Sequence, residues 1–417
     1  MRSSAAIAAS VAPGDRDGPF RLLTINTGSS SLKAAVYRDG EAVQLELDAE
    51  IRRIGLAGGS MHIADAHGAT LLDRQVALPD HGSALQALLA RLRENRSGEK
   101  LDAVGHRIVH GGSEYSESQL ITDGLMATLE RLIPIDPNHL PQAIDAIEVV
   151  RRAYPDTPQV ACFDTAFHRH MPRVAQIYAL PQRWEAEGVV RYGFHGLSYE
   201  YIMYELRTLD RAAAEGRVVI AHLGNGASMA AVHAGRSLDT TMGFTPTGGL
   251  VMGTRTGDLD PGVLLYLLQS QGMSADEVND LVNRRSGLLG VSGISADMHD
   301  LLDREGDDPQ AALAIDLFCY QARKFLASLA AALGGLDTLI FTAGIGEHSS
   351  PIRERICRNL EFLGIQLDPS RNREHAPIIS RQGSPVTVRI MHTDEDLMIA
   401  RHTVRLVQEQ GDRHVHV

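Results

Sequence analysis

The hydrophobic pattern alternates between short β-branched or apolar runs and longer segments whose apolar positions recur three and four residues apart. The short runs predict strands at 22–26, 33–37, 103–109, 158–163, 217–223, 228–233, 338–342 and 386–392. The longer segments predict helices at 83–96, 123–132, 141–153, 197–209, 261–271, 275–283, 309–333, 351–363 and 395–409. Alternating strands and helices, with a few hairpins, imply an α/β protein whose sheets are covered by helices. Two stretches share one shape. In "LLTINTGSSSLKAAVY" (22–37) and "VVIAHLGNGASMAAVHAGR" (218–236), an apolar strand runs into Asn and Gly, then small residues, then a second apolar strand. That likeness, with no short fixed period, implies two related domains rather than a solenoid. A boundary near 165 is expected, after the strand that ends at Cys162–Phe163.

Composition narrows the class. The chain has 417 residues, enough for two or three domains with substantial cores. Its net charge of −12 argues against a general nucleic-acid surface, yet a few arginines can still receive a small anion. No apolar run approaches the ~20 residues of a membrane helix. Cys162, Cys319 and Cys357 lie far apart with no CxxC pair, which implies a reducing compartment and no zinc ribbon. The start, "MRSSAAIAASVAPGDRDGPF", has a short Ala-rich stretch followed by Asp15 and Asp17, and reads as a disordered extension rather than a signal peptide. The tail "QEQGDRHVHV" is expected to be loose.

The candidate chemistry sits at turns. Asn26, Thr27, Gly28, Ser29, Ser30 and Ser31 form one hairpin tip, with Lys33 just beyond; Lys100 and Lys324 are the only other lysines. Tight turns without bulky side chains expose backbone N–H groups that can donate to phosphate oxygens. The segment "TLIFTAGIGEHS" (338–349) fits the same use, an apolar strand ending in Gly344-Ile345-Gly346 with a helix expected from about Pro351. None of these is a P-loop, and no GxGxxG follows a strand. Arg107, Asp164, His195, Arg255 and Glu395 each end or follow an apolar segment, where a side chain can project from a sheet edge. Singly, each reads as an ordinary surface, packed or capping residue; their joint occurrence carries the case.

The chain resembles the acetate kinase family, within the acetate and sugar kinase, Hsp70 and actin superfamily. The matching stretches are "NTGSSSLK" (26–33), "GHRIVHGG" (105–112), "CFDTAFH" (162–168), "RYGFHG" (191–196), "HLGNGAS" (222–228), "GTRTGDLDPG" (253–262), "RRSGLLGVSG" (284–293) and "FTAGIGEHS" (341–349), in family order over roughly 21–409. The resemblance implies two RNase H-like (actin-like ATPase) α/β domains facing a central cleft that closes around ATP. The implied division is a disordered extension at 1–20, a first domain at 21–165 plus 394–410, and a second domain at 166–393 that carries the nucleotide site. It implies direct in-line transfer of the ATP γ-phosphoryl group to acetate, giving acetyl phosphate and ADP. Catalytic roles fall to Arg107, Asp164, His195 and Arg255. Arg107, Val109, Ile135, Phe194 and Pro246 would bind the substrate. Lys33, His222, Gly224, Asn225, Gly226, Asp297, Met298, His299, Gly344, Ile345 and Gly346 would bind the nucleotide. Asn26 and Glu395 would support Mg²⁺, with Mn²⁺ as an alternative, and Ser29 and Ser31 would shape the first loop. A cytoplasmic homodimer is expected, with no nucleic-acid or membrane partner.

Several residues depart from the family's usual pattern. Ile135-Asp136-Pro137-Asn138 stands where Leu-His-Asn-Pro is common, and an unpaired carboxylate at Asp136 would repel acetate; His139 is close by. Leu197 and Tyr199 replace the usual Thr and His, "TPTGGL" (245–250) replaces Thr-Pro-Leu-Glu-Gly-Leu, and Asp394 and His299 replace Asn and Arg. These bear on substrate preference and turnover more than on reaction class. One extra methylene is worth only about 1–3 kcal/mol of discrimination, so a propionate kinase is the nearest alternative. A non-catalytic actin-like nucleotide-binding protein is the alternative from another class.

Overall fold

The structure is a computed structural model that describes residues 20–28, 30–40, 42–95 and 100–415. The N-terminal extension up to 19 and Ser29 lie outside the described residues. By its internal contacts the chain divides into two compact units: one runs up to Phe163 and resumes at Glu395, and the other spans Asp164–Asp394. Each contains one sheet of mixed direction.

In the first unit the strands are β1 (Phe20–Thr27), β2 (Ser31–Asp39), β3 (Gln44–Arg52), β4 (Ser60–Asp65), β5 (Thr70–Gln75), β6 (Ala103–Ile108), β7 (Gln119–Leu120) and β8 (Gln159–Phe163). Their order in the sheet is β5-β4-β3-β2-β1-β6-β8-β7. All of β1 is buried, as a central strand covered on both faces requires. One face carries the helices His81–Asn95 and Leu140–Ala153, whose Leu85, Leu88, Ala146 and Val150 join Leu23, Val36, Ile51 and Val104 in a core. The other receives the helix Glu395–Val415, which packs against β1 and β6. A Cβ at Gly105 would come within 2.6 Å of Ile399 Cγ2, so glycine lets that helix approach the sheet.

The second unit has β9 (Arg217–Leu223), β10 (Ala227–His233), β11 (Arg236–Thr240), β12 (Thr338–Thr342) and β13 (Thr387–Ile390), in the order β11-β10-β9-β12-β13. Here β9, β10 and β11 are antiparallel neighbours, while β12 and β13 join parallel. The sequence β3-β2-β1-β6-β8 in the first unit has the same order and directions. The two hairpins that look alike in sequence thus occupy equivalent places in two equivalent sheets. The helix Gly196–Leu209 packs Tyr199, Ile202, Met203 and Leu206 against Val218, Ile220 and Ile340. The helix Pro309–Ala332 starts at Asp308, whose side chain accepts from Gln310 N, and buries Ala311, Ile315, Phe318, Ala322, Leu326 and Leu329 along one stripe.

Three sequence expectations change. β3, β4 and β5 are strands that the hydrophobic runs do not reveal. In β3, Leu45, Leu47, Ala49 and Ile51 alternate with Glu46, Asp48 and Glu50, so one face is charged. The helix expected over 351–363 ends at Cys357; Asn359 turns left-handed (φ 64°) and a 3₁₀ turn follows at Glu361–Leu363. The tail expected to be loose is helical to Val415. Among the described residues, no helix is long and apolar enough to cross a membrane.

Each unit holds a fully buried histidine. His106 lies 2.7 Å through Nε2 from Gln159 Oε1, and His168 bonds Ser237 and the Phe194 carbonyl. Burial pushes both imidazoles down to about 4 from 6.5. The unfolded chain therefore takes up protons that the folded chain refuses. Stability should be full above pH 6.5 and decline as pH falls towards 4, by up to about 1.4 kcal/mol per pH unit for each imidazole. Urea midpoints near neutrality and at about pH 5 check this; equal midpoints would contradict it.

Candidate active site

In the first unit several of the candidate side chains gather at the ends of β1 and β6. Asn26 is the last residue but one of β1 and pairs across the hairpin with Lys33, so both lie on one face of the sheet. The tip is tied down where Gly28 N donates to Ser31 O (2.8 Å), and His81 Nε2 lies 2.8 Å from Gly28 O. Arg107 Nη1 donates to Asn26 Oδ1 at 3.1 Å and lies 3.2 Å from Glu395 Oε2. Asn26 Nδ2 donates to the same carboxylate at 3.2 Å. Glu395 opens the helix Glu395–Val415, where an acidic residue is favoured. An amide oxygen beside a carboxylate is a donor set for a hard divalent ion. Among the described residues, no group of three or more His, Cys, Asp or Glu could hold a metal unaided. Two oxygen donors fit an ion that takes its remaining ligands from water and phosphates.

Val109 is buried just past β6, and Ile135 is half-buried in the turn before the helix Leu140–Ala153. Asp136 is 2% exposed and its Oδ1 lies 2.8 Å from His139 Nδ1. The carboxylate that would otherwise repel an anion is thus paired with the histidine three residues on.

In the second unit His195 takes a left-handed backbone (φ 60°) directly before the helix Gly196–Leu209. The turn is anchored by Gly196 N, which donates to the Asp164 carbonyl at 2.9 Å. The residues around it are largely buried, with Asp164 and Phe194 each 1% exposed. The His195 ring stacks on His222 at 4.2 Å, and its Nδ1 lies 2.8 Å from Ser228 Oγ. A Cβ on Gly226 would lie 3.3 Å from His195 Nε2 and 3.7 Å from Arg255 Nη1, so the bare glycine lets both approach the hairpin. Arg255 Nη1 donates to the carbonyl of buried Pro246 at 3.1 Å. His195, Arg255, Pro246 and Gly226 are thus brought together, and the neighbouring Gly224 and exposed Asn225 complete the β9–β10 turn.

Gly344, Ile345 and Gly346 do not end the strand as expected, since β12 stops at Thr342 and they lie inside a short helix, Ala343–His348; the helix expected from about Pro351 begins at Ser350. The chain enters the short helix through Ala343 at φ 64°, which turns it sharply out of β12. Gly344 has open space where a Cβ would stand. Asp297 caps the helix Met298–Arg304 by accepting from His299 N at 2.7 Å; Met298 is buried, and exposed His299 lies 3.3 Å from Asp303.

Four residues escape the sequence reading of the site. Ser228, Ser198 and Thr393 are hydroxyls with no periodic signal, although Ser228 stands opposite His222 in the β9–β10 register. Arg353 is completely buried; it donates to the carbonyls of Gly346 and Glu347, each at 2.9 Å, and to Asn372 Oδ1 and O. Burial pushes its guanidinium down to about 10, so it stays charged at neutral pH.

The sequence profile of the acetokinase family matches residues 21–401. The chain belongs to the acetokinase family. It is 48% identical to an acetate kinase of Rhodopseudomonas palustris, over 92% of this chain and 98% of that one. It is 42% identical to an acetate kinase of Clostridium botulinum, over 93% and 100% respectively. Among solved structures it resembles the acetate kinase of Porphyromonas gingivalis (36% identity, TM-score 0.83) and a propionate kinase of Francisella tularensis (34%, TM-score 0.86). Each of those comparisons covers 93% of this chain and all of the other. The two-sheet α/β architecture is that of these family members, the actin-like ATPase fold.

Replacing Arg353 by Met would strand the two helix carbonyls and Asn372 without donors. We expect a loss on the order of 3 kcal/mol in urea unfolding, with Arg353→Lys recovering less than half because it lacks the planar fork. A loss below about 0.5 kcal/mol would show that the arginine does not hold the Gly344–Gly346 helix.

Proposed function

We propose that this chain is an acetate kinase, which transfers the γ-phosphoryl group of ATP reversibly to acetate. The observation that carries the reading is the contact of Arg107 with both Asn26 and Glu395, which sets a guanidinium beside two oxygen donors. An acetate oxygen attacks the γ-phosphorus in line. The new P–O bond forms as the bond to the β,γ-bridging oxygen breaks, and that electron pair leaves on ADP. A carboxylate is already deprotonated, so the step needs no general base.

Positioning and charge neutralisation do the rest. Arg107 and Arg255 hold the carboxylate and the transferring phosphoryl group, and His195 Nε2–H donates to its equatorial oxygens. Asp164 orients these groups. Val109, Ile135, Phe194 and Pro246 enclose the methyl group. Lys33, His222 and the Gly224–Gly226 turn meet the phosphates, while Asp297–His299 and Gly344–Gly346 meet the nucleoside. Asn26 and Glu395 would hold Mg²⁺, which when bound neutralises phosphate charge. A propionate kinase with the same mechanism is the second reading, supported by the likeness to the Francisella tularensis enzyme.

The test is acyl hydroxamate formation with ATP, Mg²⁺, hydroxylamine and acetate, propionate or butyrate. We expect an acetate maximum that falls on the order of 10³-fold in Arg255→Ala. A propionate maximum would favour the second reading, and no signal with any acid would refute both.

The working form is a cytoplasmic homodimer. Three free, buried thiols support a reducing compartment. The helix Pro261–Gln269 buries none of its residues although Val263, Leu265, Tyr266 and Leu268 are apolar and 37–55% exposed, as a surface awaiting a second copy would be. Light scattering should give twice the chain mass, and Leu265→Glu with Tyr266→Glu should halve it. A wild-type monomer would refute the dimer.

A further inference from the structure

Tyr199 occupies a position where the family usually has a histidine, and its hydroxyl is completely buried. Among the described residues its one hydrogen-bond partner is Ser228 Oγ, which also lies 2.8 Å from His195 Nδ1. Three hydrogens have to be placed on this line of atoms, and the placements are few. If His195 carried its proton on Nδ1, both the imidazole and the phenol would point at Ser228 Oγ, or the phenol would point at nothing. Either way one buried O–H would lack an acceptor, which is costly. One arrangement uses every hydrogen: Tyr199 donates to Ser228, and Ser228 donates to His195 Nδ1. Burial raises the Tyr199 hydroxyl well above its usual value, so it keeps its proton and stays a donor.

We propose that Tyr199 is a positioning residue which, through Ser228, holds His195 with Nδ1 accepting and the proton on Nε2. The functional weight of the relay rests on the reading above, in which Nε2–H meets the phosphoryl oxygens. The second imidazole of the stack is held the same way. Thr393 Oγ1 donates to Ser198 Oγ at 2.8 Å, and Ser198 Oγ lies 2.8 Å from His222 Nδ1. The two relays are adjacent twice over. Ser198 and Tyr199 are neighbours in the chain, and Ser228 and His222 are partners across β9 and β10. Each of the two stacked rings thus has its own hydroxyl line.

The test joins spectroscopy to kinetics. Protein labelled with ¹⁵N-histidine reports the tautomer of each ring, with His195 and His222 identified by single substitution. Wild-type His195 should be protonated on Nε2 alone. Ser228→Ala should give a mixture of tautomers, and Tyr199→Phe a partial shift, while Thr393→Val should move the His222 signal and leave His195 in place. Both Tyr199→Phe and Ser228→Ala should lower kcat roughly fivefold to tenfold with KM for acetate and ATP within about twofold. The double variant should be no worse than the poorer single one, because one line is broken once. An Nδ1–H tautomer in the wild type, an unchanged His195 spectrum in both variants, or kcat losses that multiply would overturn the proposal. A shifted tautomer with unchanged kcat would uphold the relay and overturn instead the placement of His195 at the phosphoryl group.

Discussion

Arg107 is held between an amide and a carboxylate that lie 369 residues apart in the chain. Much of the first unit follows from that contact. The amide must sit at the tip of β1, so the hairpin to β2 has to be tight and free of bulk, which Gly28 and its small neighbours provide. The carboxylate must sit at the start of the last helix, so that helix has to lie along β1 and β6, and Gly105 clears its path. Neither requirement concerns stability for its own sake. Each places an oxygen donor next to a fixed positive charge, the contact on which the proposed binding of an anion and a divalent ion rests.

Most of the fold is legible in the sequence because the central strands of both sheets are buried on both faces. β1, β9 and β12 have no exposed residue to dilute their apolar runs, apart from the half-buried Arg217 at the start of β9. What is not legible is the antiparallel side of the first sheet. There β3 alternates Leu, Ala or Ile with Glu and Asp, and β4 and β5 mix apolar with polar residues, and such a mixed pattern looks like loop until a partner strand is seen beside it. The site divides in the same way. Arginine, histidine and glycine at strand ends stand out as residues with a reason to be there. Ser198, Ser228 and Thr393 do not, because a hydroxyl is at home in a core or on a surface and only its partner gives it meaning. Asp136 illustrates the reverse: it reads as an obstacle in the sequence, and only the structure shows its buried carboxylate hydrogen-bonded to His139.

The equivalence of the two sheets gives the departures in this chain a common sense. The β1–β2 tip and the β9–β10 tip are built alike, yet one offers side-chain oxygens and the other has a bare glycine against a histidine and an arginine. In the second unit the two imidazoles are hydrogen-bonded by hydroxyls from a strand and a helix, Ser228 of β10 on His195 and Ser198 of the helix Gly196–Leu209 on His222. Tyr199 in place of the usual histidine keeps a buried donor at that position while removing a group that could itself change charge.

The division of the chain has a consequence for its synthesis. Most of the first unit precedes the second in the chain, but its sheet is covered on one side only when the helix Glu395–Val415 is made, after the whole of the second unit. The second unit is continuous and holds all its strands between its own ends. On a ribosome the earlier unit therefore waits with an apolar face of β1 and β6 uncovered while the later one is completed. The segment that follows the second unit both covers that face and delivers Glu395, so a chain truncated before it lacks its carboxylate donor and its cover in a single stroke.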